Sequence, residues 1–595
     1  VQQFEPDRDQ GDQNDQSDQG DPDRDPVDPS IPSIATSQAW GRRRFGRYLS
    51  LFLGSTIASL LGSRRAAAQS RRAILPIAIS DTVRAQVNTL INDVRPTIPE
   101  TELLIPTYLG SAQRRFYGRG QPNALQTLNR FYLGSGISIV GGTADTWSGA
   151  GWTGQPTIVR DRGKLFLTIG AYDHSLRKLD LDTMQVVWRY EFDDILKGSA
   201  SIYLDETAEE DDRLVILQGS RRGVGNALVT SNPVPSFRAI SFRTGRELWR
   251  LNIRLTDSYS RDNDSSAIAL GNGELFNVGE NAIGYFLNAS AARARQKDGI
   301  IQPQIIQELK LYEDADIAKY RGNLVAEASP AILGDRLYVA SGGGRIYGIE
   351  IASRTVVWRF QAGGDLNGSI AISRDGKLFA TVDREKIPGL GGAFKLDPTR
   401  PDPDCVDWFM PTLDRGYGDW EGGITASVAL NDDYRSAETP PLFATSSVDG
   451  NLYIGSQTET SGTAFGPLND RRYPTPKILA TYPIGASIST PIFTDGNRLI
   501  AAGYGGIHLF QMAFEVTNTE ADTAESAAQT AIGMSGTRYR LTLELLDRVA
   551  GSFESTPIVW DGKIYICSRD GWLYTFGQPS PSDAPNNTPN PTKKN

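Results

Sequence analysis

Eight copies of one short pattern run through the chain, and a repeat of this kind restricts the fold more than any single residue does. The clearest pair is "LFLTIGAYDHSLRKLDLDTMQVVWRYEF" (165–192) and "LYVASGGGRIYGIEIASRTVVWRF" (337–360). Each copy follows a strand of small residues: "TGQPTIV", "SASIYL", "SSAIAL", "EASPAIL", "NGSIAIS", "TASVAL", "ISTPIFTDG" and "ESTPIVWDG". A unit therefore reads as a small-residue strand, an apolar strand, a glycine turn, a third strand and an outer strand. Trp188, Trp249, Trp358 and Trp408 mark the outer strand in four units. A four-stranded twisted sheet alone exposes two apolar faces and two edges. Radial packing of eight such sheets buries the faces and leaves only short edges, which predicts an all-β, eight-bladed propeller of antiparallel blades. Asp449-Gly450 and Asp570-Gly571 supply the positive φ that tight hairpin turns need. The eighth unit stops soon after Phe576 without an outer strand, and "LNRFYLGS" (128–135), upstream of the first unit, is expected to complete it and lock the ring.

Composition agrees with a large β-protein and removes several functions. The 595 residues are 39% hydrophobic and include 60 glycines. A net charge of -9 argues against a nucleic-acid binder. Two cysteines, Cys405 and Cys567, are too few for a disulfide framework, and two histidines, His174 and His508, leave little for histidine chemistry. No phosphate loop, nucleophile elbow or zinc motif occurs, so no catalytic residue is assigned.

The flanking regions read differently. Residues 1–40 form an acidic, Asp/Gln-rich segment expected to be disordered. Residues 41–68 resemble a twin-arginine signal peptide: Arg42-Arg43-Arg44-Phe45, a short apolar stretch, and Ala66-Ala67-Ala68 before Gln69. Gly46 departs from that pattern and leaves the general secretory route open. The apolar stretch is shorter than the roughly 20 residues of a membrane span. Residues 69–123 form a lead-in with one helix, expected around "SDTVRAQVNTLINDV" with Val83, Val87, Leu90, Ile91 and Val94 on one face. The propeller is placed at 124–578, and 579–595 is a disordered tail.

The repeats "YGIEIASRTVVWRF", "RAISFRTGRELWRL" and "RKLDLDTMQVVWRY" resemble the pyrroloquinoline quinone (PQQ)-like propeller family, with Thr244-Gly245 in "FRTGRELW" the best match to its Thr-Gly turn. The resemblance implies the fold, and the family includes quinoprotein alcohol dehydrogenases, an outer-membrane assembly scaffold and other exported proteins. The dehydrogenases hold PQQ between a tryptophan floor and a disulfide of adjacent cysteines, with Ca²⁺ on Glu, Asn and Asp. No adjacent cysteine pair exists in this sequence.

Aligning the innermost strands puts Thr153, Ser199, Asp264, Glu327, Asn367, Thr425, Ile488 and Glu554 at one level of the channel. Asp264, Glu327, Asn367 and Glu554 are the candidate metal ligands, because Ca²⁺ prefers oxygen donors; a hydrated polar channel is the alternative. Trp147, Trp152 and Trp420 precede inner strands and are candidates for the rim of one face. The loop "DRGYGDWEGG", with Asp414, Tyr417, Trp420 and Glu421, is the principal expected binding surface. His508 stands where other units carry Tyr347, Tyr453 and Tyr574, so it is read as packing, and His174 occupies a glycine turn position. Insertions at 205–235 and 515–538 read as polar loops. The resulting expectation is an exported, periplasmic or extracellular, monomeric ring that binds a protein or envelope component without catalysis or cofactor. The alternative is a PQQ- and Ca²⁺-dependent oxidoreductase acting on an alcohol or sugar.

Overall fold

The computed structural model describes residues 100–271, 273–517 and 529–579. The acidic segment, the signal-like segment and the lead-in helix lie outside them, as does the tail beyond Pro579. Eight antiparallel sheets stand in a ring, the arrangement of an eight-bladed β-propeller. Their innermost strands are Thr157–Asp161, Ser201–Leu204, Ile268–Gly271, Ala331–Leu333, Ala371–Ile372, Ala429–Leu430, Ile492–Thr494 and Ile558–Trp560.

Residues explain why the blades stay together. The four tryptophans lie on outer strands, and each indole N–H donates to a carbonyl of the next blade. Trp188 reaches Phe242 and Trp249 reaches Ala289, both at 2.9 Å; Trp358 reaches Arg400 at 2.8 Å and Trp408 reaches Gln457 at 3.3 Å. A buried indole N–H needs such a partner, so the one side chain supplies both apolar area and a polar tie. Gly245 has φ +73°, and a Cβ there would lie 2.8 Å from Trp188, so the Thr-Gly turn is the seat for the preceding blade's tryptophan. The Asp-Gly turns behave as expected: Gly450 and Gly571 have φ +100° and +96°. Their aspartates accept from tyrosines four residues on, Tyr453 to Asp449 and Tyr574 to Asp570, both at 2.7 Å.

Closure also follows the sequence. Gln126–Tyr132 pairs antiparallel with Trp572–Gly577 as the outer strand of the eighth blade. Two further strands from the same lead-in were not expected. Thr101–Ile105 pairs with Thr157–Asp161 on its axial side, and Gly118–Arg119 runs parallel to Ile558–Trp560. The polar insertions need correction as well. Leu214–Gly219 is a blade strand that divides 205–235 into two loops. In the seventh blade, Gly506–Val516 pairs along its length with Arg538–Val549, and Thr530–Ile532 adds a fifth strand; 518–528 lie outside the described residues. Ala531 and Leu541 are buried in the core cluster of that blade, with Phe514, Leu543 and Leu545 packed against it, so one side of the extension is apolar and the other faces water. Among the described residues no helix is long and apolar enough to cross a membrane.

Candidate functional site: a plugged channel with one open mouth

The lead-in fills the channel. Between its two axial strands, residues 106–117 turn through the hub and bond to blade after blade. The carbonyls of Pro106, Ala112, Gln113 and Tyr117 accept the amides of Ile202, Ile332, Ile372 and Val559, at 2.7–2.9 Å. Leu109 donates its amide to Gln155 of the first blade, and the Tyr117 hydroxyl accepts from Leu430 of the sixth. Arg114, fully buried, donates to Pro330 O (2.8 Å), Tyr108 O (2.8 Å), Ser266 O (3.1 Å) and Thr107 Oγ1 (2.7 Å). Burial pulls its guanidinium down to about 9, and among the described residues no carboxylate is in ion-pair contact with it.

Above the plug, in blades three to eight, runs a belt of hydroxyls two residues beyond the channel-lining level and two before each inner strand. Ser266, Ser329, Ser369 and Ser427 each donate their amide to the hydroxyl of the next blade (Ser329, Ser369, Ser427 and Thr490) at 2.8–3.0 Å. Thr490 continues to Thr556, and Thr556 to the Trp152 carbonyl, each at 3.4 Å. The small residues of the repeat are thus its hub fastener. Tyr108 inserts its hydroxyl into the belt, 3.0 Å from Thr490 and 3.3 Å from Thr556.

On the other side of the belt lies the mouth, where the expected site residues gather into three groups. Asp264 and Glu327 meet Glu280, their carboxylate oxygens within 4.8 Å of one another. The Lys197 ammonium stands among these acids, 2.5 Å from Asp264 and 3.2 Å from Glu280. Asn367 is elsewhere, donating to Asp383 at 3.3 Å, beside a second cluster of Asp365, Asp383 and Glu385. Glu554 is elsewhere again: it accepts from Tyr504 at 2.6 Å and pairs with Arg569 at 3.6 Å. The four candidate ligands therefore do not share one centre.

Glu554 instead joins the two aromatic groups. Tyr504 stacks on Tyr417 at 5.0 Å and lies 6.1 Å from Trp420. Arg569 lies over Tyr172 at 4.7 Å and Trp147 at 5.5 Å. One continuous wall results, from Trp420 through Tyr504, Glu554 and Arg569 to Trp147. Burial, followed by the Glu554 carboxylate, holds the Tyr504 hydroxyl well above its usual range, so Tyr504 remains the donor. Trp152 is not on the surface; at 6% exposure it packs under Tyr417 and Trp420 with Val448 and Ile488. Asp414 stays exposed and is paired with Arg384, and Glu421 is exposed.

A hairpin that the repeat pattern did not announce, Ser135–Val140 with Thr143–Ser148, flanks the mouth. Arg221 donates to Ser138 Oγ at 2.7 Å, and His174 Nε2 lies 2.9 Å from the Ile137 carbonyl. His174 takes φ +67° at its turn, the conformation expected of a glycine position. A cavity of about 50 Å³ lies between the hairpin (Val140, Trp147) and Lys197, Arg222, Asp262 and Glu280. Lys197, Glu280, Tyr504 and Arg569 were missed in the sequence. Glu280, Tyr504 and Arg569 share one place in the repeat, the turn after the second strand of blades three, seven and eight (274–279, 498–503 and 563–567), so the repeat register could have singled them out; Lys197, in the link before the second blade, has no such signal.

Cys405 and Cys567 do not supply the adjacent disulfide that those dehydrogenases place against the quinone. Cys405 and Cys567 are buried in separate hydrophobic clusters, and burial pushes each thiol up to about 12. The ammonium of Lys197 offsets one of the three carboxylate charges of the Asp264, Glu280 and Glu327 cluster.

No protein-family model and no curated protein matches the chain. Among solved structures it is similar to the crystal structure of BamB from Moraxella catarrhalis, with 13% identity and a TM-score of 0.43, covering 76% of this chain and 98% of that chain. The blade count comes from the strand pairing itself.

Proposed function

We propose that this propeller is an exported, monomeric, non-enzymatic binding or scaffold protein that takes hold of a protein or other envelope component through its open mouth. The observation that carries the reading is the plug. It fills the channel from one end and leaves the other face for contact, and the ionisable groups at that face are buried and committed to one another. Lys197 serves Asp264 and Glu280, Arg221 serves Asp262, and Arg569 serves Glu554. Around them stand half-buried Trp147, Tyr417 and Trp420, and the loop that carries the last two also holds Leu413, which is 59% exposed. Amphipathic aromatics at a concave rim favour association. The test is capture from envelope extract by the purified chain and by a Tyr417→Ala/Trp420→Ala variant with an unchanged melting temperature. A partner retained by the parent and lost by the variant supports the reading; equal retention by both counts against it.

The second reading, a PQQ- and Ca²⁺-dependent oxidoreductase for an alcohol or sugar, draws support from the Asp264, Glu280 and Glu327 cluster. Adding PQQ and Ca²⁺ and following the quinone spectrum together with dye reduction tests it; absence of quinone binding removes it.

A further inference from the structure

Unit six departs from the repeat in a way that the mouth does not use. Its third and fourth strands, Asn451–Phe465 and Arg472–Pro483, are far longer than their counterparts, such as Arg345–Glu350 and Thr355–Gln361 in blade four. The tip of this hairpin, 466–471, reaches back over blades four and five. Glycines receive it: a Cβ on Gly363 would lie 2.3 Å from Leu468, and one on Gly389 would lie 2.7 Å from the Pro467 carbonyl. Gly389 N–H donates to that carbonyl at 2.9 Å, and the Asn469 amide donates to Pro388 O at 3.1 Å. The tip is held, yet it does not fill the space beneath it. A cavity of about 280 Å³ remains among the outer strands of the three blades.

The lining has a definite chemistry. Its floor is aromatic: Phe360 and Phe394, each 1% exposed, with ring centroids 5.1 Å apart, and Tyr473 at 6.2 Å from Phe394. Its rim carries the carboxylates of Asp402 and Asp470 against one guanidinium, Arg471. Asp402 is fixed by accepting the Gln361 amide at 3.0 Å. The cavity opens to solvent between the blades, so a guest can enter it past a polar rim. The rings give the cavity an apolar floor, reached chiefly at half-buried Tyr473, and the excess of carboxylate at the entrance favours a positive charge.

We propose that this cavity binds an organic ammonium group, its charge between Asp402 and Asp470 and its alkyl body on Phe360, Phe394 and Tyr473. The guest is a free alkylamine or the lysine side chain of a polypeptide, which share this chemistry. The inference is independent of the mouth, and the two can fail separately.

The full chain is titrated with butylammonium, with the peptide acetyl-Gly-Lys-Gly-amide and with neutral 1-butanol, and binding is read by saturation-transfer NMR. Butylammonium is expected to bind at least about fivefold more tightly than butanol and to lose that advantage in Asp402→Asn/Asp470→Asn. Both substitutions are on exposed loops, and an unchanged melting temperature verifies the fold. Tighter binding of the peptide than of the amine assigns the site to a lysine side chain, and the reverse order assigns it to a free amine. A second variant, Phe394→Leu, keeps the charges and is expected to weaken both cations. Equal binding of butanol, no binding of either cation, or full binding by the Asn variant overturns the proposal.

Discussion

Arg114 shows how much a single side chain holds here. It spans the plug and two blades through neutral acceptors alone, so Arg114→Met strands the carbonyls of Ser266, Pro330 and Tyr108 in a dry hub. The expected loss is about 3 kcal/mol or more, seen as a lower midpoint of urea unfolding. His508 gives a pH dependence of known sign. Burial, with Arg548 nearby, lowers its imidazole to about 4, and it lies beside Tyr482 and Phe510. The unfolded chain takes up that proton near pH 6.5, whereas the folded chain does so only near 4. His508 therefore costs stability progressively as pH falls from 6.5 to 4, and nothing further below. Replacing it in His508→Phe is expected to flatten the stability-pH slope across that window; an unchanged slope contradicts the assignment.

Among the elements, the blade-to-blade contacts are the sensitive ones. Gly245→Ala meets both an unfavourable φ and the Trp188 ring, and the expected cost is about 1–3 kcal/mol in denaturant titration. Thr490→Val keeps the shape but removes the acceptor of the Ser427 amide and a partner of Tyr108, for an expected loss of about 1–3 kcal/mol. The same scale shows what could be read from the sequence. Eight blades, outer tryptophans, Asp-Gly turns and the closing strand are all periodic or complete a period, so pattern sufficed. The plug has no period, because Tyr108, Arg114 and Tyr117 each answer a different blade. The hairpin extension in blade seven was missed because 515–538 is dominated by polar and small residues, with apolar alternation only in the strand that follows, at Tyr539, Leu541, Leu543 and Leu545. At the mouth, Trp147, Tyr417 and Trp420 were legible as aromatics before inner strands. Their connection through Tyr504, Glu554 and Arg569 was not, because it is made by convergence of the ring.

For the whole molecule, closure is achieved twice by one stretch of chain. Residues 101–119 fill the hub and touch every blade, and Gln126–Tyr132 then seals the rim between the last blade and the first. Such a ring has no blade that can leave alone. Hydrogen-deuterium exchange of the intact protein, followed by mass spectrometry, tests this most directly. Peptides from 103–119 are predicted to exchange as slowly as those from Leu442–Ser446 or Arg498–Gly503, both wholly buried blade strands, and to lose protection together with them in denaturant. Exchange of 103–119 within seconds, while those strands stay protected, would contradict the plug and the account built on it.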